Sequence, residues 1–232
     1  LAGVAHIEEP HLGAAYFQRH PEHPGLLEEM LDYAEGALRD PETGVLTVYA
    51  YAYDEALGDA LARRGYVCDE EHPGYDSEYT IGAIPARRLE PAYAVCAMAD
   101  GGDLAQRCRA QGLGFNHPDP ADWATPDQYR RVQQAPDYRA DLDLYVVGPD
   151  GEYVSSCVAW YDAPNRMGFF EPVSTNMHYR RRGFGREVVL EGIRRLAALG
   201  ATRARVGSGQ AFYQAVGFRK IAVGHEWTSP SR

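Results

Sequence analysis

The residues best suited to chemistry are the arginines and glycines of Arg180-Arg-Arg-Gly183-Phe-Gly185-Arg186, which open an amphipathic run. A basic, glycine-bearing turn that begins a helix is built to hold phosphates. The first amide N–H groups of the helix have no intrahelical partner, and the positive end of its dipole points the same way. Gly183 and Gly185 carry no Cβ, so the main chain can approach a pyrophosphate closely. Just upstream stands Glu171, flanked by Phe169, Phe170 and Pro172. A carboxylate among aromatic rings tends toward a raised pKa, which suits a general base. A structural carboxylate, or one that binds an amine's charge without taking its proton, fits the same residue. Strand alternation predicts Glu171 on the face of Val173 and Thr175.

Other phosphate motifs fail on their own terms. A dinucleotide fold needs a third glycine and a downstream acidic residue, and a P-loop needs Gly-Lys-Ser/Thr; neither is present. The histidines show no ligand spacing, and His20 and His23, three apart in a turn region, do not make a metal site.

The elements that must position these residues can be read from periodicity. In the first half, 24–38 has helical spacing, 45–51 is a β-rich strand, 55–64 is a second helix stopped by Gly65, and strands follow near Tyr66 and over 77–81. Pro85-Ala-Arg-Arg-Leu-Glu-Pro91 reads as a linker. Beyond it come a strand over 93–98, a helix over 103–111, a Pro-rich stretch over 116–126 and a short helix over 128–134. Hairpin strands over 142–147 and 153–161 turn at Gly148-Pro-Asp-Gly151. A strand over 167–175 then enters the basic turn. The helix after it buries Phe184, Val188, Val189, Ile193, Leu196 and Leu199, leaves Arg186, Glu187, Glu191, Arg194 and Arg195 in water, and is capped by Gly200. A strand over 201–206, a short helix around Tyr213 and a last strand from Phe218 complete the order. Both halves show helix, strand, helix and then Gly-aromatic, at Arg64-Gly-Tyr66 and Val216-Gly-Phe218. This suggests a duplicated domain whose first copy lacks its opening strands and phosphate loop.

Residues from about 91 to 227 resemble the GNAT superfamily of acetyl-CoA-dependent N-acetyltransferases. The signature Gln/Arg-x-x-Gly-x-Gly/Ala is matched by Arg180, Gly183 and Gly185, and Leu-Tyr-x-x-x-Gly-Phe by Phe212-Tyr213-Gln-Ala-Val-Gly217-Phe218. Arg19-His-Pro-Glu-His-Pro-Gly25 resembles the same loop region with its glycine signature gone. The resemblance implies an α/β (α+β) fold with two GNAT-like domains built on mixed, twisted sheets. Residues 1–86 would be a degenerate copy without a cofactor loop, and residues 87–232 the acetyltransferase domain. It further implies that acetyl-CoA is held by the loop Arg180, Arg181, Arg182, Gly183, Phe184, Gly185 and Arg186, mainly through backbone amides. Main-chain groups of Val173, Ser174 and Thr175 would pair with the pantetheine arm. Tyr213 would be the acid that protonates the departing thiolate, with packing against Phe212 and Phe218 as the alternative, and Glu171 the base. The segment Val206-Gly-Ser-Gly-Gln210-Ala-Phe-Tyr213 is shorter than the family's usual stretch, which often holds an asparagine near the cofactor.

Composition sets outer bounds. A formal charge of −10 over 232 residues argues against a nucleic-acid surface and suits a cationic partner such as an amine. No apolar run approaches the roughly 20 residues that span a bilayer, and no charged-then-apolar leader is present, which predicts a cytoplasmic protein away from membranes. Four widely spaced cysteines without a CxxC pair point to reduced thiols. The expected activity is acetyl transfer to a small-molecule or peptide amine by direct attack in a ternary complex, with room for a homodimer. Its rival is an acyl-CoA-binding sensor or scaffold without catalysis. Tyr49, Tyr51 and Tyr53 make one strand face aromatic, either as packing or as an acceptor-cleft lining, and Trp160 and Tyr161 are further candidates for the acceptor side.

Overall fold

A computed structural model describes residues 1–7 and 13–231. The chain divides into two compact units. The first comprises Leu1–Asp76, Gly207–Gly209 and Lys220–Arg232, and the second Ser77–Val206 and Gln210–Arg219.

In the first unit β1 (Gly3–Ile7) pairs antiparallel with β2 (Ala14–Arg19), and β2 pairs in parallel with β3 (Thr47–Tyr51) through α1 (Leu26–Ala37). After α2 (Glu55–Arg63) and β4 (Val67–Cys68), the chain enters β5 (Gly74–Thr80), whose Ser77–Thr80 part belongs to the second unit. The strand β11 (Arg219–Thr228) pairs antiparallel with β3 and β4. Leu27, Leu31 and Ala34 of α1 and Leu57 and Leu61 of α2 are buried with Val48 and Ala50 of β3, as their helical and alternating spacings require. The opening strands expected to be missing from this half are therefore present: β1 and β2 precede α1. They escaped notice because neither carries a clean alternation of apolar and polar residues.

The second unit orders its strands as β5, β10 (Arg203–Val206), β9 (Met167–Thr175), β8 (Tyr153–Asp162), β7 (Asp143–Val147) and β6 (Ala94–Ala97). Only β9–β10 is parallel. α5 (Phe184–Ala198) is the crossover between them, and α6 (Ala211–Val216) follows β10. α3 (Leu104–Gly114) packs on β8 and β9, with α4 (Pro126–Val132) beside it. Phe170, Phe184, Val188, Ile193 and Leu196 are sealed from water at the α5–sheet interface. Each contributes about 1.5–3 kcal/mol of burial. Glu187, expected to lie in water, is 1% exposed, because its carboxylate accepts the Arg88 main-chain N–H at 3.0 Å and contacts the Arg186 guanidinium.

Candidate functional site

β9 and β10 pair only at Met167–Phe169 and Arg203–Arg205, and then part. Beyond Phe169 the β10-side edge of β9 is left without a strand partner in this unit. Counting the antiparallel alternation from the Asn176 N–H, which donates to the Val154 carbonyl at 3.0 Å, the peptide groups of Val173 and Thr175 face this open edge. Ser174 turns its peptide group to β8, where its carbonyl accepts the Ser155 hydroxyl at 2.8 Å. Its side chain meets the Ser156 hydroxyl at 2.9 Å.

The turn that follows delivers the chain to α5. Gly183 is the N-cap at φ 87, a left-handed conformation that favours glycine, and no side chain caps the helix. The first intrahelical bond runs from Glu187 N–H to the Gly183 carbonyl at 3.1 Å, so the amides of Phe184, Gly185 and Arg186 precede it without an intrahelical partner. Packing supplies a reason for glycine at 185 that the sequence did not show. A Cβ there would meet Thr175 Oγ1 at 2.8 Å and the Phe212 ring at 3.3 Å, so its absence lets α5 approach β9 and α6. A cradle of uncapped amides beside an open strand edge fits a diphosphate followed by an extended, amide-bearing arm.

The arginines of the turn divide. Arg180 donates to the Thr175 carbonyl at 3.3 Å and the Gly114 carbonyl at 2.8 Å, and Arg186 is spent on Glu187. Arg182 pairs with Glu90 at 2.8 Å. Arg181, at φ 66, is exposed, and its side chain has no hydrogen bond or ion pair among the described residues.

Glu171 is not where alternation puts it. Cys157 pairs with Val173 and Ala159 with Phe170, so Glu171 and Pro172 together oppose the single residue Val158. This bulge inverts the period: Phe170 and Val173 share one face, and Glu171 lies on the other. Phe170 is buried on the opposite face, Phe169 is 37% exposed, and the carboxylate stands exposed. The Trp160 indole N–H donates to the Glu171 carbonyl at 2.8 Å, fixing the bulge from β8.

Tyr213 is 7% exposed and packs edge-on against Phe212 and Phe218, with centroids at 4.9 and 5.6 Å. Burial pushes its pKa above the usual tyrosine value, and the negative charge of Glu171 adds to the rise. The structure thus brings Glu171 and Tyr213 within electrostatic reach.

A buried polar network beside this region went unread in the sequence. Asp143, fully buried on β7, accepts from Arg107 Nε at 2.9 Å, the Tyr129 hydroxyl at 2.7 Å and the Tyr138 hydroxyl at 2.9 Å. Burial opposes the charge of Arg107, and Asp143 more than restores it. Tyr138 in turn meets the Trp160 ring edge-on at 6.3 Å. The available signal was an aspartate inside the apolar run Leu142-Asp-Leu-Tyr-Val-Val147, which must be buried with a partner.

Residues 105–218 match the sequence model of the acetyltransferase (GNAT) family. The matched segment is similar to that family. It contains the α5 turn, both parting strands and Tyr213. The fold agrees with solved GNAT structures. A GCN5-related N-acetyltransferase from Sphaerobacter thermophilus is 17% identical with a TM-score of 0.75, over 99% of this chain and 77% of that one. A tandem GNAT protein from the clavulanic acid biosynthesis pathway is 12% identical with a TM-score of 0.66, over 97% and 77%. A GCN5-related N-acetyltransferase from Kribbella flavida is 13% identical with a TM-score of 0.57, over 100% and 91%. No curated protein matches the chain in sequence. GNAT enzymes generally use acetyl-CoA and an amine acceptor, and the fold here is mixed α/β with a mixed, twisted sheet. Among the described residues no helix is long and apolar enough to cross a membrane, and no group of three metal-ligating side chains converges.

Proposed function

We propose that this protein transfers the acetyl group of acetyl-CoA to a primary amine by direct attack within a ternary complex. The observation that carries the reading is the run of uncapped amides at Phe184–Arg186 beside the part of β9, Val173–Thr175, that β10 does not cover, inside the segment matched to the GNAT family. The amides would take the pyrophosphate, and the Val173 and Thr175 peptide groups the pantetheine arm.

Glu171 and Tyr213 divide the proton work. As the amine nitrogen bonds to the acetyl carbon and the carbon–sulfur bond breaks, Glu171 takes the proton lost by nitrogen, directly or through water. Tyr213, its pKa raised, is a hydrogen-bond donor to the departing sulfur and never a base. Burial is the main cause of the raised Tyr213 pKa and the charge of Glu171 adds to it, so the phenol stays protonated beside the departing sulfur. Positioning of both substrates supplies much of the acceleration.

The first unit repeats the arrangement of β8, β9, α5, β10 and α6 in β1, β2, α1, β3 and α2, which supports reading it as a degenerate second GNAT copy. The packing of Tyr213 between two phenylalanines favours the rival reading of coenzyme binding without turnover. Calorimetry with coenzyme A tests the site, and thiol release from acetyl-CoA across an amine panel tests the chemistry. Absence of heat with folded protein removes both readings; heat without thiol release for any amine leaves the binder.

A further inference from the structure

The stretch Pro85–Pro91, which reads as a linker, lies along α5 in reverse order. The Pro85 carbonyl accepts from Arg194 at 2.7 Å, and Arg87 pairs with Glu191 at 2.8 Å. The Arg88 N–H donates to Glu187 at 3.0 Å, and Glu90 receives Arg182 at 2.8 and 3.3 Å. The tethers fall on Arg194, Glu191, Glu187 and Arg182, so they climb one face of the helix and end on the turn ahead of it. There the Arg182 guanidinium sits among three rings, with its central carbon 5.1 Å from the Tyr93 centroid, 5.6 Å from Tyr179 and 4.9 Å from Phe184. It also donates to the Tyr93 hydroxyl at 3.1 Å. Tyr179 is anchored in turn on Glu152 at 2.8 Å.

Resting on the coenzyme-binding reading above, the geometry points to Glu90 and Arg182 as positioning residues for the phosphate turn. Arg182 does not reach for the phosphates. Its charge is neutralised by Glu90 and its plane is held by Tyr93, Tyr179 and Phe184, so that Gly183 and the amides behind it keep the shape the diphosphate needs. The strap thereby sets coenzyme affinity from outside the site, and the turn is formed before the ligand arrives.

Calorimetric titration of the full chain with coenzyme A separates this from direct contact. Glu90→Gln and Arg182→Ala should each weaken binding about three- to tenfold, the scale of an exposed ion pair with cation–π support. The double variant should bind no worse than the weaker single one, since both changes break one device. Tyr93→Phe, which removes only a hydroxyl, should weaken binding less and covers the case in which the other variants fold poorly. If Glu90→Gln binds coenzyme A as tightly as the wild type, or more tightly because a freed Arg182 reaches the phosphates, the inference is overturned alone. A wild type that gives no heat with coenzyme A overturns the function reading and this inference with it.

Discussion

Two parallel strand pairs among the described residues part soon after they meet, and the helix starts that follow them differ. In the first unit β2 and β3 pair at Ala14–Thr47 and Ala15–Val48; in the second, β9 and β10 pair at three positions. Each pair is joined through a helix. Where the first pair parts, Arg19 at the end of β2 grips Asp54 with two hydrogen bonds of 2.6 and 2.8 Å, and Asp54 also caps α2 by accepting the Leu57 N–H at 3.1 Å. The α1 helix then opens on Gly25 in an ordinary right-handed conformation, with Glu28 and Glu29 in its first turn. Glu28 there is itself paired with Arg63 and Arg64, at 3.2 and 2.6 Å. The α5 helix instead opens on left-handed Gly183, and its first-turn acid, Glu187, is buried and matched by Arg186 and Arg88. The comparison teaches that the parting of strands is common property of both units. What separates them is the first amides of the helix: the Leu26 and Leu27 N–H groups of α1 donate to the His23 and Pro24 carbonyls at 3.2 and 3.3 Å, whereas those of Phe184, Gly185 and Arg186 precede the first bond of α5.

The sharpest way to break the comparison is through the helix that follows each parting. α6 carries Tyr213, whereas α2 carries no tyrosine. Replacing Tyr213 by Phe should lower acetyl-transfer turnover by about 100-fold or more, within the range of positioned proton donors. Coenzyme affinity should stay within about twofold of the wild type. Steady-state kinetics beside calorimetry reads both, and unchanged turnover would leave the two units alike in lacking an acid.

Next in size is the helix start itself. Gly183→Val forces a β-branched residue to φ 87 and should weaken coenzyme A binding about 10- to 100-fold. Gly25→Val in the first unit meets open space at φ −65 and should leave coenzyme binding unchanged. Equal effects in a titration would show that the asymmetry between α5 and α1 carries no function.

The same contrast shows what the residue order disclosed. The glycine-bearing turn at the start of α5 was legible because Arg180, Gly183 and Gly185 are local, and a helix start needs no distant partner to be recognised. The face of Glu171 was not, because one bulge at Glu171–Pro172 inverts a period-2 reading and leaves no trace in composition. The burial of Glu187 and the capture of Arg182 depend on Arg88 and Glu90, more than ninety positions away in the chain. Likewise Arg107 looks like one more solvated helix residue until Asp143 is placed against it. Local chemistry could be read from the sequence, and long-range pairing of charges could not.

A smaller effect concerns pH. The Tyr213 pKa is raised above 10.0 by burial and by Glu171, so the phenol keeps its proton throughout the alkaline range in which an ordinary tyrosine begins to ionise. Turnover should therefore show no loss attributable to Tyr213 up to about pH 10. A falling alkaline limb that disappears in Tyr213→Phe would show that the residue titrates normally and that burial in α6 does not shape it.

The smallest expected effect lies in the first unit and concerns stability alone. Burial works against the charge on Asp54, but the Arg19 guanidinium and the Leu57 N–H more than offset it, so its carboxyl sits below the usual value of 3.8. A depressed folded-state pKa means the stabilisation is complete above the unfolded-state value and is lost as pH falls through the folded one. Asp54→Ala removes an ion pair and a helix cap together and should cost about 1–2 kcal/mol at neutral pH by urea denaturation. The deficit should begin to shrink as pH falls below about 4 and disappear only below the depressed folded-state value, where the wild type protonates Asp54 and loses the same contacts. Coenzyme A affinity should not move, because the proposed function places the coenzyme at the start of α5. If the variant instead altered coenzyme binding, the stitched ends of β2 and β3 would belong to the site, and the division between a receptive and a sealed pair of strands would have to be redrawn.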